Sequence, residues 1–361
     1  MPGSRERAPR VTLAGVAREA GVSVSTASLA FSGLGPVATG TRERVLAAAA
    51  SMGYPGPDPR ARSLRHGRSG VVGVVVENTV LTAFRDPVNV GMVDGLAEVL
   101  GDAEAGVLLL TDSPHARAAF DNAAMDGVVL SGCSPVVGEL LESLRRRRIP
   151  TVLIGGRPRR GSIAVDVDNV AASAALARHL QDLGHRSVAT VTLPLDQTGG
   201  SVVTPQLVAG SSADTAVDRL TGLRSVFPAA AAVAASASTV EDGERLGREL
   251  LDPDGEGVLD PARAIPTAIV AQSDLLAVGV IRAAEALGLA VPADLSVVGF
   301  DGIELQGYTG HTLTTMRQPM QDKGRAAARA VLKLIDGGRP RSTAFACEFV
   351  VGTTTAPPPT D

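Results

Sequence analysis

The chain has 361 residues, more than one ordinary hydrophobic core accommodates, so two or three compact units are expected. Hydrophobic residues make up 45% and charged residues 20%, which excludes a disordered chain, and no apolar run reaches membrane-spanning length. The net charge of −4 conceals an asymmetry: residues 1–70 carry ten arginines against four carboxylates, a surplus of +6, which leaves −10 on the remainder. Such a front end suits a polyanion, but charge alone leaves a merely solvated terminus equally open. The opening "MPGSRERAPRV" has no apolar stretch behind its arginines, so no export signal is expected. Cys133 and Cys347 are too few and too far apart for a disulfide framework or a cysteine metal site, which fits a reducing cytoplasm.

In "VTLAGVAREAGVSVSTASLAFSG" (11–33), Thr12 can cap a first helix that carries Leu13, Val16, Ala17 and Ala20 on one side. Gly21 permits a tight turn, Ser23 stands where an N-cap belongs, and Val24 to Phe31 form a second helix with Ala27, Ala30 and Phe31 turned inward. "TRERVLAAAASMGY" supplies a third helix, so the pattern is that of a helix-turn-helix. Ser23, Ser25, Thr26 and Ser28 then gather at the amino end of the second helix, where N–H groups and hydroxyls can meet phosphates and base edges. The alternative is a plain helical hairpin whose serines only cap.

Next, "PDPRARSLRHG" encodes a helix of about two turns over 58–67: Asp58 caps, Pro59 suits the first position and Gly67 the left-handed exit. So short a helix is marginal alone in water. Arg60, Arg62, Arg65 and Arg68 suit phosphates and Leu64 suits a wedge between base steps, while a flexible charged linker is the other reading.

Beyond residue 70, short aliphatic runs alternate with helical stretches. "GVVGVVVE" (70–77), "GVLLLT" (106–111), "GVVLSG" (127–132), "PTVLIGG" (150–156), "SVATVTL" (187–193), "TAIVAQ" (267–272) and "LSVVGFD" (295–301) lack polar alternation, as strands covered on both faces do. Between them "VGMVDGLAEVLGDA", "VAASAALARHLQDLGH" and "LLAVGVIRAAEALGL" carry apolar residues at helical spacing. The repetition predicts doubly wound α/β architecture, in two lobes. "GGSVVTPQLVAGSSADT" and "PAAAAVAASAS" read as a long loop followed by a strand, "TTTAPPPTD" as a frayed tail, and "RRRR" (145–148) as the cationic end of a helix before Pro150.

These segments in this order, with "SVVGFDGIELQGYTGHTLTTMRQP" after them, resemble the lactose-repressor (LacI/GalR) family of bacterial transcription factors over about residues 11–355, more weakly at 195–240. The resemblance implies a helix-turn-helix domain with hinge helix at 1–69 and a two-lobed, periplasmic-binding-protein-like (type I) effector domain. Its N-subdomain is expected at 70–160 plus 319–346, its C-subdomain at 161–318 plus 347–355, and a tail at 356–361, with crossings near Gly161, Gln318 and Cys347. Val24 and Ser25 are implied to face base edges, Thr12, Ser23, Thr26, Ser28 and Ser32 the DNA backbone, and Arg60, Arg62, Leu64 and Arg65 the hinge contacts. Leu29 departs from relatives that place a polar base reader there; leucine can touch a thymine methyl but cannot pair with guanine. "GYPGPDPRAR" is one residue longer than the common family spacing, which leaves the register between third helix and hinge open.

In the cleft between lobes, matching positions name Arg219, Ser273, Phe300 and Asp301 as effector contacts, with Phe84, Arg85 and Asp86 as a first-lobe wall. An Arg219–Asp301 ion pair lining an empty cleft is the other reading. Asp166 and Asp168 reach toward the same cleft, and Asn169 is read as capping the next helix. The implied protein is a cytoplasmic homodimer, with a tetramer as the alternative, that reads a palindromic operator and responds to a sugar or nucleoside; whether that ligand induces or corepresses is not encoded. No cofactor, metal or catalytic residue is expected: the histidines at 66, 115, 179, 185 and 311 lack metal spacing, and no dinucleotide, Walker or nucleophile-elbow motif occurs. A metabolic enzyme and a secreted solute-binding protein are the rival readings, and the latter lacks an export signal and has the basic front end against it.

Overall fold

The computed structural model describes residues 11–32, 36–56, 67–77, 79–131, 136–196, 201–251 and 265–359. The chain divides into two compact units, 1–69 and 70–361. The first unit packs α1 (Leu13–Glu19), α2 (Val24–Ser32) and α3 (Thr39–Ser51) around a small core of Val16, Ala17, Ala27, Ala30, Val45 and Ala49. Alanines at these positions let short helices approach closely. The Phe31 and Tyr54 rings meet edge to face, and Arg42 reaches across from α3 to the Ala30 carbonyl at 3.0 Å. The hinge residues Asp58, Pro59, Arg60, Arg62, Leu64 and Arg65 lie outside the described residues.

The second unit has two doubly wound lobes. Its elements run β1 (Val71–Val76), α4 (Val80–Arg85), α5 (Pro87–Asp102), β2 (Gly106–Thr111), α6 (Arg117–Asn122), β3 (Gly127–Ser131), α7 (Val137–Arg146), β4 (Thr151–Ile154) and β5 (Ser162–Val167). They continue with α8 (Asn169–Asp182), β6 (Val188–Thr192), β7 (Ser201–Val202), α9 (Pro205–Gly210), α10 (Asp214–Arg224), β8 (Ala231–Ala234), α11 (Val240–Leu251), β9 (Ala268–Ala271), α12 (Asp274–Ala286), β10 (Ser296–Val298), β11 (Thr315–Arg317), α13 (Met320–Ile335), β12 (Thr343–Phe345) and β13 (Glu348–Val350). The first-lobe sheet is parallel, in the order β12-β5-β4-β3-β1-β2. The second is β10-β9-β6-β8-β7, parallel except for β7, and β11 pairs antiparallel with β13.

Because β5 belongs to the first sheet, the first crossing falls after Val167 and not near Gly161. Alternation in "SIAVDV" hid this strand from a search for continuous aliphatic runs. The expected long loop holds β7, α9 and the start of α10, and the alanine run forms the buried strand β8. Nor are residues 353–356 frayed: Thr354 is fully buried, its carbonyl accepts from Val297 at 2.8 Å, and His185 reaches the Ala356 carbonyl at 2.9 Å. After α7, Arg147 donates to the Phe120 and Ala123 carbonyls, so that arginine fixes a neighbouring loop.

Aliphatic strands are sandwiched by helices. In the first lobe Val72, Val74 and Val129 meet Leu96 and Leu100 of α5 and Ala327 and Val331 of α13; Leu130 and Val128 meet Phe120, Leu140 and Leu144 on the other face. The α5–α13 contact is backbone-close, since a methyl group at Gly324 would run into the Met92 carbonyl oxygen. Gly324→Ala is therefore expected to lower stability by about 1–3 kcal/mol, read as a lower urea midpoint by circular dichroism with an unchanged denaturant slope.

Candidate functional site

Two places in the molecule gather chemistry. In the first unit Gly21, at φ 65°, turns the chain between α1 and α2, and Ser23 accepts the Thr26 N–H at 3.1 Å. Its hydroxyl also lies 2.8 Å from those of Ser25 and Thr26, which concentrates three hydroxyls on the positive end of α2. Val24, Ser25 and Leu29 are exposed, whereas Ala27 and Ala30 are buried, so α2 shows outward a stripe of hydroxyl and methyl groups. Thr12 caps α1 by accepting from Gly15 at 3.2 Å, Ser28 is half-buried, and Ser32 secures the last turn through the Leu29 carbonyl at 3.1 Å.

In the second unit a cleft lies where strand ends of both lobes converge. From the first lobe come Glu77 after β1, Ser131 at the end of β3 and Asp86 at the start of α5; Thr215, Ser273 and Asp301 face them from the second. Ser131 donates to Glu77 at 2.7 Å. Asp86 caps α5 by accepting from Val88 at 2.9 Å and from the Asn89 amide at 3.1 Å. Ser273 caps α12 and accepts from the Ser238 hydroxyl at 2.8 Å.

A closed ring of six side chains forms the floor. Arg219 donates to Asn169 at 2.9 Å; Asn169 donates to Asp166 at 3.2 Å; Lys323 lies 3.7 Å from Asp166 and donates to Gln318 at 2.8 Å; Gln318 donates to Asp301 at 2.6 Å; and Asp301 closes the circle with Arg219 at 3.6 Å. Arg219 also donates to the Gln272 carbonyl and lies over the Phe300 ring, 3.6 Å from its centroid. Buried charges persist because each is matched by an opposite charge and hydrogen bonds.

Electrostatics in the cleft are dominated by carboxylates. Burial, with Asp301 and then Glu77 adding repulsion, pushes Asp86 up to about 7. Behind the wall, Asp274 accepts from Thr315, Gly302 and Ile303, yet burial and the neighbouring Asp301 push it up to about 7 as well. Asp301 itself sits at φ 126°, a strained backbone for a side-chain-bearing residue, and burial raises it against the pull of Arg219. At the third crossing, burial pushes the Cys347 thiol up to about 11.

Of the residues named from sequence, Asp86, Arg219, Ser273 and Asp301 meet in the cleft and Asp166 joins them. Three do not line it. Phe84 and Arg85 are exposed on α4, and Phe300 is buried beneath Arg219 as its support. The cap of α8 is Asp168, which accepts from Ala171 at 2.9 Å, and Asn169 instead carries Arg219. Glu77, Gln318, Lys323 and Ser238 were not singled out as contacts. Glu77 carried a signal, since a lone charge ending an aliphatic strand stands at the carboxyl edge of the sheet. Among the described residues no group of three or more metal-binding side chains occurs, and no helix is long and apolar enough to cross a membrane.

Comparison with known proteins agrees with this geometry. The profile "Bacterial regulatory proteins, lacI family" matches residues 12–56, and "Periplasmic binding protein-like domain" matches 177–355. The HTH-type transcriptional regulator IpsA of Corynebacterium glutamicum is 32% identical over 90% of this chain and 91% of its own. A structure of a transcriptional regulator CelR–cellobiose complex superposes with TM-score 0.66 at 26% identity, over 96% of this chain and all of that one. The lac repressor dimer bound to operator and the anti-inducer ONPF shares the fold, with TM-score 0.72 at 23% identity over 96% and 99%. Relatives of this kind are transcriptional regulators and not enzymes, and a helix-turn-helix unit followed by a two-lobed cleft is their arrangement: the chain belongs to the lacI family of bacterial regulatory proteins.

Proposed function

We propose that the chain is a cytoplasmic homodimeric repressor that grips a palindromic operator through α2 and releases or tightens it when a sugar enters the cleft. The observation that carries the ligand class is the lining itself: carboxylates, hydroxyls and amides converge from both lobes, and no aromatic ring is among the described lining residues. Without a ring to stack on, a nucleobase has no matching face, whereas hydroxyls can donate to Asp86 and Glu77 and accept from Arg219. The 26%-identical CelR structure holds cellobiose, which supports the same class. Three exposed apolar side chains on α4, Val80, Leu81 and Phe84, support subunit association, since contact would remove them from water. A dimer matches a two-fold operator. In this reading Arg60, Arg62 and Arg65 neutralise phosphates and Leu64 wedges the minor groove.

Thermal-shift and calorimetric titration of the full chain with a panel of mono- and disaccharides tests the cleft; Glu77→Gln, which leaves the Arg219 ring intact, is expected to reduce the shift while operator affinity is retained. Sequence readout is tested by selecting bound duplexes from a random pool. Leu29→Arg is expected to gain about 1–3 kcal/mol of discrimination for guanine at the facing position of each half-site; an unchanged consensus would remove Leu29 from the base-reading face. Asp86 gives a ligand-free check. Its raised value means the folded chain holds a proton that the unfolded chain has released, so stability contributed at this site falls as pH rises from about 4 to about 7 and is level above. Asp86→Asn is expected to gain stability relative to the parent across that window in urea titrations, and a constant difference would contradict the raised carboxyl.

A further inference from the structure

Helix α10 presents two adjacent stripes. Thr215 and Arg219, four residues apart, face the cleft; Asp214 and Asp218, displaced by one position, face the loop 155–161 that joins β4 to β5 in the other lobe. There the Arg157 backbone N–H donates to Asp214 at 3.0 Å, Arg159 donates to the same Asp214 oxygen at 3.0 Å and to the Ser212 carbonyl at 3.3 Å, and the Arg157 guanidinium pairs with Asp218. Four contacts thus tie a first-lobe loop to the helix that carries the second lobe's cleft-facing arginine. The two aspartates are largely buried, while Arg157 projects into solvent.

We propose that Arg157 and Arg159 are positioning residues for the effector response: they latch α10 to the first lobe, and so set how readily the cleft opens around Arg219. The contacts are polar and rim-placed, so the latch is weakened by salt and stays cheap to break when the lobes move. The link to effector rests on the cleft being the sugar site; the latch does not, and its test uses no ligand. Hydrogen–deuterium exchange of the full chain is compared for the parent, Arg159→Gln and the Arg157→Gln/Arg159→Gln pair, in 50 mM and 500 mM NaCl. The latch predicts that exchange rises about two- to tenfold in peptides covering both 154–161 and 211–219, in the double variant at low salt and in the parent at high salt, with Arg159→Gln intermediate and still salt-sensitive through the Arg157–Asp218 pair and the double variant insensitive to salt. Amides of β2, at the edge of the first sheet farthest from β5, and of β10, at an edge of the second, stay at parental rates. A rise confined to the substituted loop, or one spread uniformly through both sheets, would overturn the proposal; so would no change at all. A failed sugar screen with a salt-sensitive latch would sink the sugar reading and leave the latch standing.

Discussion

A guanidinium taken out of water must be held by protein groups, and those that hold Arg219 come from three separate parts of the chain. Asn169 opens α8 just after the first crossing, Asp301 follows β10, Gln272 follows β9, and Phe300 closes the underside. Through Gln318 and Lys323 the same ring reaches the second crossing and α13 of the other lobe. Removing one member strands a buried charge, which costs far more than the pair contributes when complete. The ring is therefore a contiguous polar connection between the second lobe, the second crossing and α13 of the first.

Each lobe around it is internally interlocked. Backbone-close glycine contacts interlock α5 with α13 and α11 with α12, and the strands between them are buried on both faces. Packed cores of this kind deform little, which leaves the crossings and the polar rim as the less interlocked regions. The strained backbone of Asp301 and the elevated Asp86 and Asp274 lie in this region, where burial and neighbouring carboxylates are tolerated at a cost.

What could be read from sequence followed from the physics of each signal. Strands β1, β3 and β9 were legible because burial on both faces leaves no polar alternation, and α1 and α2 because Thr12, Gly21 and Ser23 are punctuation with a mechanism. Strand β5 was not, because Asp166 breaks the run in order to reach the cleft. Lys323 was missed because a lysine near the start of an amphipathic helix reads as a solvated charge, and only the tertiary fold turns it onto Gln318. Phe84 and Phe300 were placed in the cleft by resemblance; one lies on the surface and the other supports Arg219 from below, a distinction of orientation that residue type does not carry.

The interleaving of late segments has a consequence for synthesis on the ribosome. The core of the first lobe needs α13 and its sheet needs β12, while the second needs Thr354 against β10 and β13 against β11. Neither lobe can reach its finished form until residues 320–356 have emerged, whereas the three-helix unit is complete once Tyr54 has left the exit tunnel. Each growing chain thus passes through a long interval in which its DNA-gripping end is made and its sensor is still in pieces.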